Sequence, residues 1–195
     1  MYKRQPPGPP PEGEERAAAA TSESDDPWLG GSVSLIANGD LGSIVGPAIG
    51  IGGAAGLRIA MVRIEAGGSY WAPQEKQIDG SGAGGAFDFA TGYIQAGPGW
   101  SWGRLGIVGV AGVELGSLRA RGINVDRQDT ASVLWVAARA GGVLTVALVN
   151  PLALRFDLGL AIPFDRPRWV LDDIGVVGRP APVIGRLGLG LEVAF

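Results

Sequence analysis

Arg186-Leu187-Gly188-Leu189-Gly190-Leu191-Glu192-Val193-Ala194-Phe195 decides how this chain folds. Apolar residues alternate strictly with charged or small ones, the two-residue period of a β-strand with a single apolar face. A helix would instead bring apolar side chains back every three or four positions.

Working toward the N-terminus, the same period recurs seven more times. At about 28–38, Val33 and Leu35 stand opposite Ser32 and Ser34. At about 46–59, Ile49, Ile51, Ala55, Leu57 and Ile59 alternate with glycines and Arg58. At about 62–71, Val62, Ile64, Ala66 and Tyr70 oppose Arg63, Glu65 and Ser69. The segment at about 85–96 sets Phe87, Phe89 and Tyr93 against Asp88. The segment at about 103–117 sets Leu105, Ile107, Ala111, Val113 and Leu115 against Arg104 and Glu114. At about 131–148, Leu134, Val136, Leu144, Val146 and Leu148 oppose Arg139; at about 152–164 the leucines and phenylalanines oppose Arg155 and Asp157. Segments of about 10–15 residues are long enough to cross a bilayer as tilted strands.

Connections alternate in length. Ala60–Met61, Gly97 to Ser101 and Val149–Asn150–Pro151 read as short turns, so Ile59 should oppose Val62, and Leu148 should oppose Leu152. Segments 72–84, 118–130 and 165–180 read as long polar loops. Short turns at one rim and long loops at the other describe an up-and-down transmembrane barrel. The expected fold is all-β: eight antiparallel strands over 28–195, behind a disordered Pro-rich and acidic tail at 1–27.

Composition agrees. Charged residues are 18% of 195 and apolar ones 46%, a thin charge coat for a wetted surface. Lysine occurs only at Lys3 and Lys76, although soluble sheets usually guard their edges with it. The chain has no cysteine and no histidine, which removes disulfides, thiolate chemistry and the commonest general base. A net charge of −3 without a basic cluster argues against nucleic acid as a partner. No stretch of about 18 apolar residues suggests a membrane-crossing helix. No secretory signal is visible; the expectation is that one was removed or lies upstream.

Alternation alone does not say which face is wet. A lipocalin-like soluble barrel would turn the leucines inward; a membrane barrel turns them outward. Opposite the apolar stripe lie Arg58, Arg63, Arg104, Arg139, Arg155 and Arg186, with Glu65, Asp88, Glu114, Asp157 and Glu192. These bases and acids nearly neutralise each other, as a closed interior requires. Turning them toward lipid would cost about 2–4 kcal/mol per basic group near the midplane and more than about 15 kcal/mol in all. The expectation is a lumen filled by this network. Trp28, Trp100, Trp102 and Phe195 are expected at the short-turn rim, with Tyr70, Trp71, Phe164 and Trp169 at the other, as interfacial girdles.

With these residues in view, the domain resembles the small eight-stranded outer-membrane barrels of the OmpA and OmpX type. The alternating Leu187, Leu189, Leu191, Val193 and terminal Phe195 are similar to that group's insertion signal. The resemblance implies an outer-membrane location, a lipid and lipopolysaccharide environment, and recognition of the last strand by a barrel-assembly machinery. It implies a structural or interaction role through the long loops, whose partner the sequence does not name. A narrow ion or small-solute channel is the alternative, and a soluble lipocalin-like binding barrel is the third. No cofactor, metal or catalytic group is expected. Gly99-Trp100-Ser101-Trp102-Gly103 matches a nucleophile-elbow pattern, but the strand-to-helix turn and histidine partner are missing. Gly80 to Gly85 matches a phosphate-loop spacing with no helix after it, and reads as a loop.

Overall fold

The computed structural model describes residues 29–43, 46–77, 84–123, 130–166, 169–171 and 175–195. The tail at 1–27 and Trp28 fall outside these, as do the tips of the loops. The strands are β1 (Leu29–Leu41), β2 (Pro47–Ile59), β3 (Val62–Gln77), β4 (Gly84–Trp102) and β5 (Leu105–Ile123). They continue with β6 (Thr130–Val149), β7 (Leu152–Pro163), β8 (Trp169–Leu171), β9 (Gly175–Gly178) and β10 (Ile184–Ala194). Eight of them close an antiparallel barrel in the order β1-β10-β7-β6-β5-β4-β3-β2, and β8 pairs with β9 in a separate small sheet.

Period-2 patterning is what fixes the register. Slipping any strand by one residue would exchange its two faces. The seam is the β1–β10 pair, which runs from Ser32↔Ala194 to Leu41↔Gly185. Phe195 extends it, exchanging backbone hydrogen bonds with Gly31 at 2.6 and 2.9 Å. The Phe195 ring lies over Gly31, where a Cβ would come within 2.5 Å of it, so any larger residue there would displace the ring. Lumen-facing glycines on β2 serve the same close approach: a Cβ at Gly56 would sit 2.7 Å from Ser32 Oγ and 3.2 Å from Arg63 Nε.

Several elements differ from the sequence expectation. Much of 72–84 and 118–130 is strand: β3 runs on to Gln77, β4 starts at Gly84, β5 reaches Ile123 and β6 starts at Thr130. Beyond the barrel both faces of a hairpin can meet water, so pairing there does not demand apolar alternation. Within 165–180 the chain forms β8 and β9. The third short turn lies at Gly103–Arg104, not 97–101, because Gly103 takes the left-handed φ of 58° that a tight hairpin needs. Ile59 does oppose Val62. Leu152, however, pairs with Val149, because the register shifts between Ala147 and Val149 and leaves Leu148 unpaired.

Leu35, Ile49, Ile94, Leu115, Leu134, Leu158 and Leu189 all stand exposed on the outer surface. Leu158 keeps 68% of its surface while Arg155, three residues away, keeps none. That is the inside-out distribution of a barrel solvated by hydrocarbon, and the reverse of a soluble carrier. Tyr70, Trp100, Trp102 and Phe164 are exposed near the rims, where interfacial aromatics belong.

Candidate functional site

The lumen is built in levels. At the short-turn end a cavity of about 750 Å³ opens, lined in part by Ser32, Arg58, Arg63, Arg104, Thr145 and Glu192. Its inner wall leads to the first ion cluster.

Arg155 is the centre of that cluster. Its guanidinium holds Glu65 through two bonds of 2.7 Å and Asp157 through bonds of 2.9 and 2.7 Å. It also reaches Glu192 at 3.2 Å and Ser34 Oγ at 3.0 Å. Arg63 closes the ring by donating to Glu192 at 2.9 and 2.6 Å and to Glu65 at 2.8 Å. Tyr93 and Gln95 donate to Glu65 Oε1 at 3.2 and 3.0 Å. Two guanidiniums and three carboxylates thus share fork-shaped, charge-assisted bonds, the geometry that offsets the cost of taking ions out of water. Strand alternation puts each of them inward: 63 and 65 on β3, 155 and 157 on β7, 192 on β10.

A second cluster lies toward the long-hairpin end. Arg186 pairs with Asp40 and, at 2.7 Å, with Glu114. Ser43 caps Asp40 from its N–H at 2.9 Å and its hydroxyl at 2.7 Å. Trp135 Nε1 donates to Glu114 at 2.9 Å. Arg139 bridges the levels: it lies 3.9 Å from Glu114 and stacks 3.8 Å over the Tyr93 ring.

Above this the lumen turns apolar. Ala48, Trp71, Phe87, Phe89, Leu118, Trp135, Ala137, Ala161 and Ile184 form one buried cluster, drawn from seven of the eight barrel strands. Phe89 stands edge-on to Trp135 at 5.3 Å and near-parallel to Trp71 at 6.3 Å. Arg186 lies over the Trp71 ring at 4.6 Å, joining the ionic and aromatic levels.

Of the eleven charged residues expected inside, Arg63, Glu65, Glu114, Arg139, Arg155, Asp157, Arg186 and Glu192 come together in these clusters. Arg58 is half-buried and lines the mouth. Arg104 is exposed on the β4–β5 turn, because that turn falls later than expected. Asp88 lies on the outer side of β4, across from Arg119. Its neighbours Phe87 and Phe89 point inward, with Tyr93, contrary to the expected lipid-facing assignment. Trp71 is likewise an interior residue rather than part of a girdle. An aromatic ring suits either a lipid face or a dry core, so type alone did not orient this strand. Asp40 was missed, although carrying the alternation of Ser32 and Ser34 on to position 40 would have placed it inside. The terminal set Leu187, Leu189, Leu191, Val193 and Phe195 is exposed on the outer face.

No family model and no curated protein matches the chain. Solved structures do. A major outer membrane protein from Thermus thermophilus superposes with a TM-score of 0.64 at 14% identity, over 86% of this chain and 99% of that one. The fold is that of the small eight-stranded outer-membrane barrels. Ail, the attachment invasion locus protein of Yersinia pestis, gives 0.53 at 13% identity, over 86% and 97%. Neisserial surface protein A gives 0.53 at 14%, over 86% and 97%.

Proposed function

We propose that this outer-membrane barrel is an interaction protein rather than a channel or an enzyme, and that it presents its protruding hairpins to a partner outside the cell. Short turns then face the periplasm and long hairpins face outward, as is general for such barrels. The observation that carries this reading is the contrast between a filled lumen and an extended rim. Two ion clusters and an aromatic level occupy the interior, whereas β3, β4, β5 and β6 run on past their flanking strands. Pairing of β2 with β3 stops at Gly50↔Trp71, and pairing of β6 with β7 starts at Ala137↔Pro163. Residues 72–77 and 130–135 therefore form the two edges of a four-stranded sheet, the first still tied to β2 at Gln74, which donates to Pro47 O at 2.6 Å, the second reaching about 20 Å past the β6–β7 pairing at roughly 3.3 Å per residue.

These edges differ. The β3 edge carries Pro73, Glu75, Lys76 and a register shift between Trp71 and Gln74, all devices that blunt an edge. The β6 edge reads Thr130-Ala131-Ser132-Val133-Leu134-Trp135, without charge or proline. An edge of that kind accepts an added strand. On the same reading the outer rim meets lipopolysaccharide, and the terminal strand from Leu187 to Phe195 is the handle for the assembly machinery.

The test uses folded barrel in lipid vesicles, scored for binding to cell surfaces or candidate ligands. Ala131→Lys together with Val133→Lys should abolish binding while heat-modifiable gel migration, the mark of a folded barrel, is kept. Discrete conductance steps of the unmodified protein in planar bilayers would instead support the channel.

A further inference from the structure

The outer face of β5 runs uncharged from Leu105 to Leu115, then passes through Ser117 to Arg119 and Arg121. Leu118 and Ala120, between these, pack into the interior cluster, so both arginines point outward, and both are exposed. Ten residues at about 3.3 Å, tilted by about 40°, climb about 25 Å along the barrel axis, the height of an outer-membrane apolar band. The next row fixes where hydrocarbon ends. Ser117 pairs with Leu134 on β6 and with Ala90 on β4, and Ala90 pairs with Tyr70 on β3, an exposed aromatic suited to the interface. By the same rise and tilt, Arg119 and Arg121 stand about 5 and 10 Å above that row. The headgroup layer is about 5–8 Å thick, and a long arginine stem lets the guanidinium of Arg121 reach down into it.

The surroundings select an anion and a direction. The two arginines are two residues apart on one face, about 6.6 Å between Cα atoms, so both forks reach one phosphorylated headgroup. On the β6 side Ser132 lies opposite Arg119, and its hydroxyl is 3.2 Å from that of Ser117, adding neutral donors beside the guanidiniums. The acids lie on the other flank. Asp88 opposes Arg119 across β4, and Glu75 on β3 pairs with Ala86, which separates it from Arg121. An anion therefore seats between β5 and β6. Its level favours a phosphate carried by a lipid, because acyl chains on the wall below Leu115 deliver the headgroup to this height.

We infer that Arg119 and Arg121, with Ser117 and Ser132, form a seat for the phosphate of one glycolipid of the outer leaflet. The seat lies on the face of the protruding sheet, apart from the β6 edge. It rests on the proposed function only in taking the long hairpins to face outward.

The test titrates folded full-length barrel in detergent micelles with diphosphoryl lipid A and follows its amide resonances. Saturable shifts are expected at Ser117, Arg119, Arg121 and Ser132, and none with dephosphorylated lipid A. Arg119→Gln with Arg121→Gln should weaken binding about 30-fold, roughly fivefold per arginine, while heat-modifiable migration is kept. Arg119→Lys with Arg121→Lys should retain most of the affinity, since an ammonium still binds phosphate as a point charge. Equal binding of the dephosphorylated lipid would overturn the inference, even if the glutamine variant does not fold. So would unchanged affinity in that variant, or binding of a soluble sulfated oligosaccharide with lipid A silent. Orientation has its own readout. The chain has no cysteine, so Ile123→Cys supplies a unique thiol that a membrane-impermeant maleimide should label on intact cells. Absence of label would sink the outward orientation and this seat together; label without lipid A binding would sink the seat alone.

Discussion

The lower and upper halves of the lumen solve the same packing problem with opposite chemistry. Around Arg155 the barrel is filled by ions held by directed, charge-assisted hydrogen bonds. Around Phe89 it is filled by rings that need only volume. The difference teaches where the fold tolerates change: an ionic level depends on geometry and count, an aromatic one on size.

Substitutions can break that comparison. The largest loss is expected for Arg155→Met, which strands Glu65, Asp157 and Glu192 around a neutral side chain. About 3–5 kcal/mol should disappear from urea unfolding in lipid vesicles. Arg155→Lys should recover little of it, because one ammonium cannot replace two forked contacts. Phe89→Ala should cost about 3–4 kcal/mol in the same assay through the void it leaves. Here the conservative Phe89→Leu should recover most of the loss, unlike Arg155→Lys. If both conservative variants behave alike, the two halves do not differ in this way. Leu158→Arg probes the lipid side and should cost about 2–4 kcal/mol if it lies near the midplane. The smallest effect is expected for Arg104→Ala, within about 0.5 kcal/mol, because that arginine sits exposed on a turn. A large loss there would bring Arg104 back among the interior charges.

The ionic half was legible because a charge in an alternating strand has only one affordable direction in a membrane. Arg63, Glu65, Arg155, Asp157 and Glu192 could thus be placed from parity alone. The aromatic half was not legible by the same logic. Phe87, Phe89 and Tyr93 alternate as well as any lipid-facing set, and only closure of the barrel shows that they point inward. Trp71 shares the parity of Arg63, Glu65 and Ser69, so its direction was present in the pattern but masked by the expectation of a girdle. Hairpin lengths were the least legible feature. Outside the bilayer nothing forces alternation, so the continuation of β3 to Gln77 and β5 to Ile123 leaves no periodic mark.

Arg155 and Glu192 come from late in the chain, whereas Ser34 and Glu65 come from early in it, and the barrel's first and last strands lie side by side. An uncurled sheet would hold these groups apart, each still needing water. Satisfying these groups away from water therefore requires the first and last barrel strands to meet. A half-formed cylinder has no comfortable home in either solvent.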